Sequence, residues 1–117
     1  MTTELDTRAL KVAVVDDNNG FAKGTLPILK RIDGVEARSA GVEELVAWGA
    51  EIIVIDVRAG ARLLIPPLRE RGIDVIVAAG RPVVSVIEGC PVYDKERSST
   101  ALVALVEAIR RRRTSAD

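Results

Sequence analysis

The chain has 117 residues, the length of one domain; 48% of it is apolar and only 3% aromatic, so its core must be built from Val, Ile, Leu and Ala. Seventeen Lys and Arg balance seventeen Asp and Glu, which argues against wholesale electrostatic binding to nucleic acid or anionic lipid. With no histidine and one cysteine, Cys90, the chain lacks the Ser-His-Asp and Cys-His nucleophilic sets and the usual His/Cys zinc sites, so any metal must be a hard cation held by carboxylates.

The first eight residues are polar and lack the apolar stretch of a secretory leader, and no apolar run is long enough to span a membrane. A lone cysteine forms no internal disulfide, so a reducing, cytoplasmic setting is expected. Lys11–Val15 is a short apolar run that closes on Asp16-Asp17-Asn18-Asn19-Gly20, the pattern of a strand buried on both faces. A helix is expected within Phe21–Ile32. An interior proline costs roughly 3 kcal/mol, so it either starts late, with Thr25 as cap and Pro27 in its first turn, or is kinked at Pro27. Val35–Arg38 alternates weakly and suits an edge strand. Val42, Leu45 and Val46 share one helical face, and Gly49 is a natural stop.

Glu51–Asp56 repeats the buried-strand pattern and again ends on a carboxylate. Pro66-Pro67 predicts a short element that starts around the prolines and ends before Gly72. Ile73–Gly80 reads as a further buried strand, and Val83–Ile87 as another candidate. After Ser98-Ser99-Thr100, which offer N-caps, Leu102, Leu105, Val106 and Ile109 form one helical stripe, closed by Arg110–Arg113 at the negative end of the helix dipole. The ordered domain is expected over 11–113, with 1–10 flexible and 114–117 frayed. Strands alternating with helices imply an α/β domain with a parallel sheet and right-handed crossovers, whose functional groups gather at the carboxyl ends of the strands.

The carboxylates lie at those ends. Asp16 and Asp17 close the first strand and Asp56 closes the third. In a flavodoxin-like order, 2-1-3-4-5, the two strands are neighbours and the acidic groups meet in one crevice. Crowded like charges need a cation, which Lys95 or Mg²⁺ would supply.

These residues resemble the receiver domain of bacterial two-component response regulators. The resemblance runs through Val14-Val15-Asp16-Asp17-Asn18, Glu43-Glu44-Leu45 and Ile53-Val54-Ile55-Asp56, and resumes from Gly89 to Ile109 with Tyr93-Asp94-Lys95-Glu96 before the last helix. It implies a three-layer, flavodoxin-like fold. It also implies that Asp16, Asp17 and Asp56 resemble the Mg²⁺ ligands, Asp56 the phosphoacceptor and Lys95 the phosphate-bridging lysine.

Three departures accompany it. Ala79 stands where the family's switch hydroxyl belongs, which removes a charge-assisted contact worth ~1.5–3 kcal/mol. Gly60 stands where the family usually has proline, four residues after the phosphoacceptor. Asp56 to Lys95 spans only 39 residues, short by about one helix around Gly80–Gly89, where the family's fourth helix belongs.

The expectation is therefore a stand-alone, atypical receiver-like module, not an enzyme, with impaired or absent phosphorylation switching. Its partners are expected to be proteins: a sensor kinase, a downstream regulator or a second copy. A conventional receiver phosphorylated on Asp56 with Mg²⁺ is one alternative; a small ligand-binding protein using the crevice near Asn18 and Gly80 is another. The remaining features have plainer readings: turn glycines at Gly20 and Gly24, a solvated basic helix end, a small buried Cys90 and a packing Trp48.

Overall fold

The computed structural model describes residues 9–16, 20–80, 84, 86–96 and 99–115. Its elements follow one another as β1 (Leu10–Val15), α1 (Phe21–Lys30), β2 (Val35–Ala40), α2 (Val42–Trp48), β3 (Ile52–Asp56), a 3₁₀ turn (Val57–Ala59), α3 (Ala61–Glu70), β4 (Asp74–Ala79), β5 (Val86–Ile87), β6 (Cys90–Asp94) and α4 (Ser99–Ser115). Strand β1 thus includes Leu10, and α4 runs on through Thr114 to Ser115.

The sheet order is β2-β1-β3-β4-β6-β5. Every pairing is parallel except β5 with β6. The first five strands in that order reproduce the flavodoxin-like 2-1-3-4-5 arrangement, with β6 as the family's fifth strand. The crossovers between parallel strands put helices on both faces. One face buries Val12, Val14, Ile52, Val54, Ile76 and Ala78 beneath Ala22 and Leu29 of α1 and Leu102, Val106 and Ile109 of α4. The other buries Ala13, Val15, Ile53, Ile55, Val75 and Val77 beneath Leu45 of α2 and Ile65 and Leu68 of α3. Strand β3 is buried along its whole length, which its unbroken apolar run required.

Of the two readings of Pro27, the late start with Thr25 as cap is the one the structure does not follow. Helix α1 starts at Phe21, not at Pro27, and Thr25 is a buried residue within it rather than its cap. Helix α3 likewise starts at Ala61 and carries Pro66 and Pro67 inside. Ile65 and Leu68, both buried, flank the proline pair, and their packing outweighs the lost backbone donors.

The region that is short of a helix holds a hairpin. Its loop, Glu88-Gly89, has positive φ at both residues (49° and 80°), as a two-residue type I′ turn requires, and it lays β5 antiparallel on β6. Of the expected Val83–Ile87 strand, only Val86 and Ile87 are paired; Val83 and Ser85 lie outside the described residues.

The basic end of α4 is not simply solvated. Arg112 and Arg113 pair with Asp74 at the start of β4, and Arg113 also donates to the Gly72 and Glu51 carbonyls at 3.3 and 3.4 Å. Arg110 donates to the Asp33 carbonyl at 2.7 Å. These bonds staple α4 to the amino-terminal edge of the sheet. Trp48 is half-buried against the second core face, with Arg38 and Lys11 over its ring at 4.8 and 5.5 Å.

Gly60 explains its own departure from the family. It links the 3₁₀ turn to α3 at φ 76°, which a proline ring, fixed near −65°, cannot adopt. Gly60→Ala should cost about 1–2 kcal/mol for the left-handed backbone, and Gly60→Pro distinctly more. Equilibrium urea unfolding of both variants checks this; a proline variant as stable as the alanine one would contradict it.

Candidate functional site

Three strand ends build the site at the carboxyl edge of the sheet. Strand β3 pairs with β1 through Val14 and Val54, so Asp16, just past the end of β1, and Asp56, at the end of β3, both lie at the carboxyl edge of the sheet. On the other side Asp56 is paired with Ala78 of β4, and Ala79 with Asp94 of β6. The Lys95 N–H donates to the Ala79 carbonyl at 3.0 Å, and the Glu96 N–H donates to Asp94 Oδ1 at 3.0 Å. These two bonds turn the chain after β6 so that the Lys95 side chain reaches back across β4.

Asp56 is fully buried. It continues the parity of Ile52 and Val54 and so belongs to the face beneath α1 and α4. Lys95 Nζ donates to Asp56 Oδ2 at 2.6 Å and lies 5.5 Å from the Phe21 ring centroid at the start of α1. The fold thus joins these two sequence-predicted residues across 39 positions of the chain.

The sequence reading did not single out Arg58. The 3₁₀ turn after β3 folds the chain back so that the Arg58 N–H donates to Asp56 Oδ1 at 2.9 Å. Its guanidinium then grips both oxygens: Nε donates to Oδ1 at 3.3 Å and Nη2 to Oδ2 at 3.0 Å. The available signal was the spacing itself, a basic residue two positions after a strand-ending aspartate, where an Asx turn brings it home.

Burial by itself would raise the Asp56 carboxyl. The Arg58 side chain, Lys95 and the Arg58 backbone N–H outweigh it and hold the group at about 2, below its ordinary 3.8. Burial pushes the Cys90 thiol up, away from the reactive thiolate form.

Of the other sequence-predicted residues, Ala79 is buried at the end of β4. Ala78, paired with Asp56, is also an alanine, so neither position carries a hydroxyl. Asp17 and Asn18 lie outside the described residues. Asp16 lines an open groove of about 520 Å³ with Gly20, Lys23, Leu26, Lys30 and Ser39, on the β2 side of the site.

No protein-family model matches the chain, and no curated protein matches it. Solved structures do. The signal receiver domain of the response regulator NarL from Mycobacterium tuberculosis superposes with a TM-score of 0.72 at 16% identity, over 87% of this chain and 96% of that one. A two-component transcriptional regulator AraC from Clostridium phytofermentans ISDg gives 0.66 at 15% identity, over 86% of this chain and 90% of that one. The fold is that of a response-regulator receiver domain. Within it, Asp56 ends the third strand and Lys95 follows the family's fifth strand.

The sequence resemblance implies a divalent cation at this edge. The donor set of Asp56 does not fit one: its two oxygens already accept four N–H bonds, from Arg58 N, Nε and Nη2 and from Lys95 Nζ. A carboxylate offers about four acceptor sites, so none is left for a metal. Among the described residues, no cluster of three acidic or cysteine side chains is gathered to hold a metal ion.

Because the Asp56 carboxyl is lowered, its ion pairs contribute stability that is complete above pH ~4 and lost as pH falls from there toward 2. Asp56→Asn should therefore cost about 2 kcal/mol near neutral pH, and the gap to wild type should close toward pH 2. Urea unfolding across that range checks the sign; a gap that widens on acidification would refute it.

Proposed function

We propose that the chain is an atypical receiver-type module of two-component signalling, a protein-binding domain rather than an enzyme, that works without the usual phosphorylation switch. Its partner is a protein, a sensor kinase or a downstream regulator. The observation that carries this reading is the saturation of Asp56, whose oxygens are all engaged by Arg58 and Lys95. An attacking oxygen needs a free lone pair directed at the phosphorus, and this carboxylate must first break a charge-assisted bond to present one.

Two further features support it. A phosphoryl group brings about −1.5 to −2 charge, but it shifts an equilibrium only through a contact that differs between two states. Ala78 and Ala79 offer no hydroxyl for such a contact. The segment between β4 and β6 carries the short β5 hairpin strand, with Val86 exposed, where the family has its fourth helix.

The Lys95–Asp56 bond of 2.6 Å favours a second reading, a conventional receiver phosphorylated on Asp56 with Mg²⁺. One experiment separates the two. On incubation with Mg²⁺ and acetyl phosphate, or with beryllofluoride, the wild-type chain should show no added mass in intact-protein spectra and no amide shifts around residue 56. A saturable adduct that disappears in Asp56→Ala would establish the conventional reading instead.

A further inference from the structure

We infer that the Arg58 guanidinium holds the place of the divalent cation on Asp56, so that the chain carries its own permanent counter-charge. This rests on the receiver-type reading of the pocket, which is what makes a cation the expected neighbour of Asp56.

The argument begins in the backbone. Strand β3 stops at Asp56, and the following 3₁₀ turn brings residue 58 back over the carboxylate, where its N–H is already bonded to Oδ1. The side chain of residue 58 therefore starts beside the carboxylate. An arginine there closes a fork, Nε on Oδ1 and Nη2 on Oδ2. Lys95 alone would leave Oδ1 to the single backbone donor, and that oxygen would stay open to a metal.

Charge points the same way. A Mg²⁺ ion binds carboxylate oxygen at about 2.1 Å and demands near-octahedral geometry. To reach Asp56 it must displace an N–H donor and then stand beside both a guanidinium and an ammonium. The Arg58 side chain is 61% exposed while the Asp56 side chain is fully buried. The guanidinium thus lies on the solvent side of the carboxylate.

Removing the guanidinium should expose a cation site that wild type lacks. The probe is Mn²⁺, an oxygen-seeking ion whose free form is read by electron paramagnetic resonance, with the thermal midpoint as a second readout. Arg58→Ala and Arg58→Gln should each bind Mn²⁺ at least about tenfold more tightly than wild type and gain midpoint on its addition. Arg58→Lys, which keeps the charge, should stay close to wild type, and adding Asp56→Asn to Arg58→Gln should abolish the gain. Glutamine fills much of the same space, so it carries the test if the alanine variant does not fold.

Wild type binding Mn²⁺ as tightly as the variants would overturn the inference, and so would variants that gain nothing. Neither result depends on phosphoryl transfer. A wild-type chain that takes no acetyl-phosphate adduct, together with variants that gain no Mn²⁺ binding, sinks this inference and leaves the signalling reading standing.

Discussion

Burying an ionised carboxylate at the end of a central strand costs several kcal/mol unless every lone pair finds a donor and an opposite charge is close. Asp56 meets that condition with a backbone N–H, a forked guanidinium and an ammonium. The condition reaches well beyond the residue itself. It needs the 3₁₀ turn that folds Arg58 back, the left-handed Gly60 that lets the chain leave that turn, and the bonds that aim Lys95 across β4. Among the described residues no buried side-chain nitrogen or oxygen lacks a partner, so the carboxyl edge is satisfied as it stands.

A receiver fold with a self-neutralised pocket changes what the edge can be used for. Where an acidic pocket lacks counter-charge, binding a cation releases repulsion. Here the repulsion is already relieved from within the chain. Among the described residues, Ala78 and Ala79 of β4 carry no hydroxyl, and β5 forms a hairpin with β6.

The remaining charges follow the same economy of position. Arg110, Arg112 and Arg113 extend the last helix and spend themselves on Asp33, Glu51, Gly72 and Asp74 at the opposite edge of the sheet. Arg38 and Lys11 bracket Trp48. The chain thus keeps much of its basic charge in intramolecular contacts.

Much of this was legible in the residues alone. Buried parallel strands announce themselves as short unbroken Val/Ile runs, and a carboxylate closing two of them marks the functional edge, because side chains at strand ends in α/β sheets face the crevice. The α2 stop at Gly49 and the apolar stripe of α4 were equally plain, since capping and helical period are local properties. Tertiary structure decided the rest. Packing of Ile65 and Leu68 carried a helix through Pro66-Pro67 against local propensity. Pairing with β6 turned Val86 and Ile87 into an antiparallel edge, which no count of missing residues specifies. The grip of Arg58 on Asp56 depends on a turn geometry and on burial, and a linear pattern records neither; only the folded chain brings that charge to that carboxylate.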